Sequence, residues 1–218
     1  MNHDSSSDTE VDKYHKEAIS GGQMTQKQLD DGNSSKPSTV DDSKSNSSAL
    51  PLPQSCAIFT GKTSIPDTIQ ISKKFTLGMV SSKAVVSRYP ITAQHGLTIS
   101  EIACNLKNLA ENCLDPIKDK YPNMFVTSGF RLGTGTSQHE RGFAADMQFT
   151  NASKSDYFTI AQWIKDNVLF DQLLLEYKTT GTSMPWIHIS YNGNGLRKQI
   201  LTFMNDKSTG SGLRKLQA

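Results

Sequence analysis

The spacing of apolar residues changes character from one stretch of the chain to the next. After Thr98, the residues Ile99, Ile102, Ala103, Leu106, Leu109, Ala110, Cys113, Leu114 and Ile117 recur at steps of three and four, which predicts an amphipathic helix. Thr98 and Glu101 have the spacing of a capping box, in which hydroxyl and carboxylate each satisfy a free amide, and Pro116 predicts a kink or an end. Residues 124–130 read as a strand entering a Gly-rich loop at 132–137. Residues 142–149 alternate, with Phe143, Ala145, Met147 and Phe149 on one face and Gly142, Ala144, Asp146 and Gln148 on the other. A second helix is predicted over 156–167, burying Phe158, Ala161 and Ile164. Residues 170–177 and 185–191 predict a hairpin turning near Gly181, and 196–205 a closing helix. Helices and antiparallel strands in separate blocks predict an α+β domain, a small antiparallel sheet packed by helices.

Upstream the pattern fades. Residues 1–50 hold one aromatic, Tyr14, and nine acidic residues against five lysines, a net of −4 that leaves +6 for the rest of this +2 chain. So polar a stretch cannot bury enough apolar surface to offset its ordering entropy, so it is read as an arm that is disordered or held by a partner. Residues 51–72, interrupted by Pro51, Pro53 and Pro66, read as a linker, 73–205 as the globular domain and 206–218 as a flexible tail.

The near balance of charge argues against a dedicated nucleic-acid binder. No stretch approaches the length of a membrane span, and the N-terminus lacks a basic-then-apolar signal pattern, so no secretory address is expected. Three cysteines, Cys56, Cys104 and Cys113, are an odd count without zinc-finger spacing. Cys104 and Cys113 are read as packing thiols, and the odd count as an argument against an oxidised scaffold.

His139, Asp146 and His188 change the picture. Two imidazoles and a carboxylate suit a divalent metal and leave a fourth tetrahedral position for water. Asp146 shares its strand face with the small residues Gly142 and Ala144, and His188 shares its face with Trp186 and Ser190. Polar residues in the middle of apolar strands are costly unless something satisfies them, and a metal would. Non-haem iron oxygenases use a similar donor set, but they place the first two ligands two residues apart, against seven here. His3, His15 and His95 are read as surface or hydrogen-bonded residues and not as ligands.

These residues also carry a resemblance. The run Ser137-Gln138-His139-Glu140-Arg141-Gly142-Phe143-Ala144-Ala145-Asp146 resembles the S-x-H-x-x-G-x-A-x-D signature of the zinc D-alanyl-D-alanine carboxypeptidase and L-alanyl-D-glutamate endopeptidase family, which acts on peptidoglycan. Trp186-Ile187-His188-Ile189-Ser190 is similar to the family's second signature, and Ser128-Gly129-Phe130-Arg131 to its S-x-[YF]-R element. Phe75-Thr76-Leu77 and the helix at 105–116 look like the branch found in phage tail proteins. The resemblance covers about residues 73–204. It implies Zn²⁺ on His139, Asp146 and His188, with Arg131 polarising the scissile carbonyl. Where many relatives have a Glu three residues before the last His, this chain has Pro185. Pairing across the predicted hairpin puts Glu176 opposite residues 186–188, which makes it the candidate general base.

Glu140 and Arg141 fall at variable positions of the signature and are read as solvated. Ser137 and Ser190 are candidates to orient the ligands, and Trp186 to shape a groove or to pack. The resemblance implies a cell-wall peptidase in a phage tail or baseplate, or released into the host periplasm, with residues 1–50 contacting virion proteins. The alternative is a structural or wall-binding virion module that kept the fold without turnover.

Overall fold

A computed structural model describes residues 54–83, 87–88, 91–178, 183–193 and 195–215. The polar arm and the turn near Gly181 lie outside these residues. The described fold is α+β. Eight strands form one sheet: β1 (Ser82–Lys83), β2 (Ser87–Arg88), β3 (Met124–Ser128), β4 (Ala144–Phe149), β5 (Gln172–Tyr177), β6 (Trp186–Ser190), β7 (Gln199–Met204) and β8 (Lys207–Ser211). Their order is β2-β1-β3-β4-β6-β5-β7-β8. The helices are the one-turn α1 (Leu77–Val80), α2 (Ile99–Leu109), α3 (Asp115–Lys120) and α4 (Asp156–Asn167). No helix among the described residues is long and apolar enough to cross a membrane.

The capping box forms as the sequence predicts: the Thr98 hydroxyl accepts from the Glu101 amide, and the Glu101 carboxylate accepts from the Thr98 amide at 2.7 Å. Pro116 does not end the helix. One π turn, Ala110–Leu114, joins α2 to α3 and brings Pro116 into the first turn of α3, where a missing N–H costs little. Asp115 beside it is buried and accepts from the Ser72 hydroxyl and from the amides of Lys73 and Lys74.

Three boundaries differ from the sequence expectation. The stretch 54–72 is not a linker, because Cys56, Phe59 and Ile71 are buried in the main core. Residues 199–204 form β7 instead of a closing helix. Their alternation puts Leu201 and Phe203 against Leu174, a pairing that helical spacing would break. The sheet is therefore mixed: β7 runs parallel to β5, while every other neighbouring pair is antiparallel. Part of the expected tail is also ordered, since β8 returns along β7 through Asn205 and Asp206, whose φ of 51° and 64° suit a two-residue hairpin turn.

One sheet face packs against the helices through Ala145, Met147 and Phe149 of β4, Ile187 and Ile189 of β6, and Leu173 and Leu175 of β5. Strand parity sends Asp146, His188, Leu174 and Glu176 to the other face.

The cysteines also correct the sequence reading. Cys56 and Cys104, 48 residues apart, form a disulfide that ties the 3-10 helix Gln54–Phe59 to α2. Cys113 stays a buried thiol that donates to the Leu169 carbonyl, and burial pushes its pKa up. Closing a loop of this length stabilises a fold by about 4 kcal/mol in the chain-entropy picture. Reduction of the disulfide is expected to lower the melting temperature by about 10 °C. Thermal denaturation with and without reductant checks this, and an unchanged midpoint would contradict it.

Candidate metal centre

Asp146 and His188 are direct partners across β4 and β6, so the sheet register alone brings them to one face. His139 arrives from the 3-10 turn His139–Arg141 just before β4. Gly142 ends that turn at a φ of 73°, in the left-handed region, and a Cβ there would lie 2.8 Å from the Ile102 carbonyl oxygen of α2. The glycine of the signature thus lets the ligand turn sit against the helix.

His139 Nε2 lies 3.2 Å from His188 Nδ1 and 3.3 Å from Asp146 Oδ1, and His188 Nδ1 lies 2.9 Å from Asp146 Oδ1. Donors at 2.0–2.1 Å from a tetrahedral ion stand about 3.3 Å apart, so the three separations are close to those of three corners of such a site. The group can hold a metal ion.

The ring orientations have identifiable causes. His139 Nδ1 is 2.8 Å from the Gly129 carbonyl oxygen, which can only accept, so Nδ1 carries a proton and Nε2, once deprotonated, is the nitrogen that can offer a lone pair to a metal. Both imidazoles are buried, whereas the Asp146 side chain is 14% exposed. Burial alone would raise the Asp146 carboxyl. The charge and hydrogen bonds of His139 and His188 outweigh it and hold the group well below the usual carboxylate range.

Glu176 is buried in β5, in register with Trp186 of β6 and Phe203 of β7. It shares the face of His188, one pleat repeat along the strand. The pairing inferred from the hairpin therefore holds at Trp186. Arg131 lies two residues beyond Gly129. Its carbonyl accepts from Gln94 at 2.8 Å, and its guanidinium Nε and Nη2 are buried.

Other residues depart from their expected roles. Ser190 Oγ accepts from the Gln172 amide, the Ser137 carbonyl accepts from the Glu140 amide, and His139 is oriented by the Gly129 carbonyl. Glu140 is not solvated: it is 5% exposed and pairs with His95 Nε2 at 2.6 Å. His95 is thus a paired residue, as its sequence reading allows. Beside it, Gln94 donates to the carbonyls of both Arg131 and Glu140 and accepts from the Gly133 amide, joining the two loops that flank the centre. A backbone acceptor and a distant glutamine leave no trace in a side-chain motif, which is why sequence reasoning missed them.

Gly129 makes the most exposed prediction of this arrangement. A Cβ there would lie 1.8 Å from the Val80 carbonyl oxygen, so the backbone must shift, and with it the acceptor of His139. Gly129→Ala is expected to weaken metal binding by about 10–100-fold, the range for loss of an outer-shell partner, and to cost at least about 1–3 kcal/mol of stability. Zinc titration and chemical denaturation of the variant test both, and wild-type values in both would contradict the role given to this carbonyl.

No family model, curated protein or solved structure matches the chain.

Proposed function

We propose that this chain is a zinc-dependent peptidase that hydrolyses peptide bonds in the stem peptides or cross-links of bacterial peptidoglycan, as part of a phage tail or baseplate. The observation that carries the reading is the convergence of His139 Nε2, His188 Nδ1 and Asp146 Oδ1 at separations of 2.9–3.3 Å, with the buried Glu176 carboxylate one pleat repeat away on the same face. Two imidazoles and a carboxylate favour zinc, and three protein donors are the usual complement of a catalytic zinc site. The substrate class rests on the resemblance of residues 137–146 and 186–190 to the peptidoglycan peptidases.

Zinc, when bound, lowers the pKa of a coordinated water to about 7 and polarises a carbonyl. Glu176 takes the proton of the attacking water and returns it to the leaving amine. Arg131 steadies the negative charge that develops on the carbonyl oxygen. The Gly129 carbonyl holds His139 with Nδ1 protonated, which would leave its Nε2 as the donor to the ion.

Work in the virion, or in the host periplasm after release, fits a domain that closes a disulfide, since such bonds persist in oxidising surroundings. Residues 1–50 would contact tail or baseplate proteins. Nucleic acid and membrane have no part in this reading. The second reading is a wall-binding or structural virion module, favoured by Pro185 at the position where the resemblance calls for a glutamate. Zinc-loaded protein incubated with purified peptidoglycan separates the two. New free amines and shortened stem peptides by mass analysis are the result expected of the peptidase; zinc retained and wall bound, with no new amines, would select the second reading.

A further inference from the structure

At the end of the sheet where β4 begins and β6 ends, Thr136, Gln138, Arg141, Phe143, Asn192 and Arg197 line a cleft of about 330 Å³. Two of these side chains, Gln138 and Arg197, are held by Asp171, which is fully buried. Asp171 accepts from the Arg197 amide at 2.9 Å, from Arg197 Nε at 2.9 and 3.1 Å, from Arg197 Nη2 at 2.5 Å and from Gln138 Nε2 at 2.8 Å. These bonds to Asp171 use Nε and Nη2 of Arg197 and not Nη1. Arg141 is held more lightly, its Nη1 lying 3.4 Å from the Ser137 carbonyl oxygen. Two guanidinium groups against one carboxylate leave this wall one positive charge in excess.

We infer that this cleft is a subsite for a single free carboxylate of a peptide ligand. One excess charge matches a monoanion better than a phosphate dianion, and guanidinium groups offer paired donors in the geometry a carboxylate accepts. Phe143 adds an apolar residue to an otherwise polar lining.

The sequence ties the cleft to the metal centre, since Gln138 and Arg141 flank His139. The register gives its reach. The pair Ala144 and Ser190 lies two residues from the pair Asp146 and His188, about 7 Å along the strands, and Phe143 and Asn192 lie just beyond. An extended peptide advances about 3.3–3.6 Å per residue. That separation corresponds to about two residues of an extended chain. The inference rests on the proposed peptidase function only for the ligand being a peptide cut nearby; the binding itself needs neither metal nor turnover.

The test titrates the full, metal-free chain with N-acetyl-L-alanyl-D-glutamate and with the same dipeptide amidated at both carboxyls. The acid is expected to bind at least about tenfold more tightly, about 1.4 kcal/mol, and Arg141→Gln is expected to remove that advantage. Arg197→Lys loses the two-point contact with a buried acid and can destabilise the domain, so Arg141→Gln decides. Equal affinities, no measurable binding of the acid, or an Arg141→Gln variant that still prefers it overturns the subsite. Acid binding without any hydrolysis of peptidoglycan leaves the subsite standing and removes the peptidase; hydrolysis together with loss of the acid preference does the reverse.

Discussion

Glu176→Gln, loaded with zinc, is expected to keep its metal and lose about 10²–10⁴-fold in peptidoglycan hydrolysis. The size follows from the role. Glutamine has nearly the same shape and can stay between Trp186 and Phe203 in the register of β5, but its amide cannot take a proton from water or return one to the leaving amine. Glu176 is not among the three metal-facing donors, so metal content should not change. Metal analysis and hydrolysis rates measured on the same preparation separate the two effects. A variant with wild-type turnover would remove Glu176 as the base, and one that has lost its metal would make it a ligand instead.

The second large effect concerns the ion itself. Asp146→Asn is expected to weaken zinc binding by more than the roughly 10–100-fold seen when an outer-shell partner is lost, and activity should fall with it. The carboxylate supplies the one negative charge of the donor set, and its Oδ1 lies 2.9 Å from His188 Nδ1 and 3.3 Å from His139 Nε2. Acid should act differently on wild type. Asp146 is held well below the usual carboxylate range, so it stays ionised as pH falls, and zinc is lost because imidazole must be neutral to ligate. For the metal-free fold the sign is set by the same lowered carboxyl. Its contribution to stability is fully present above about pH 4 and is lost as pH falls through the folded value. Zinc titrations of wild type and variant across pH 5 to 8 check the first claim; equal affinities would contradict it.

Local chemistry was legible in the sequence, and long-range pairing was not. Thr98 and Glu101 marked the start of α2 because both halves of a capping box lie within one turn. Glu176 could be paired with Trp186 because a hairpin register needs only a turn position. The candidate metal-binding residues were readable for a similar reason: a polar residue amid apolar strand positions stands out, and Asp146 and His188 are such residues. The disulfide was missed because Cys56 and Cys104 are 48 residues apart, with no spacing rule to join them. The parallel pairing of β5 and β7 was missed because 199–204 suits either a short helix or a strand until Leu174 is placed beside Leu201. Phe59 and Ile71 lie among polar residues and prolines, so their burial shows only once α2 and α3 are there to cover them. The Asp171–Arg197 pair left no signal because an acid at a strand start and an arginine in a loop 26 residues later look solvated.

X-ray absorption at the zinc edge, on the full chain with one equivalent of added zinc, tests most directly whether His139, Asp146 and His188 grip a single ion. The account predicts stoichiometric uptake with two nitrogen donors and one carboxylate oxygen at about 2.0–2.2 Å, completed by one light scatterer. A sulfur shell near 2.3 Å, or uptake unaffected by His188→Ala, would contradict it.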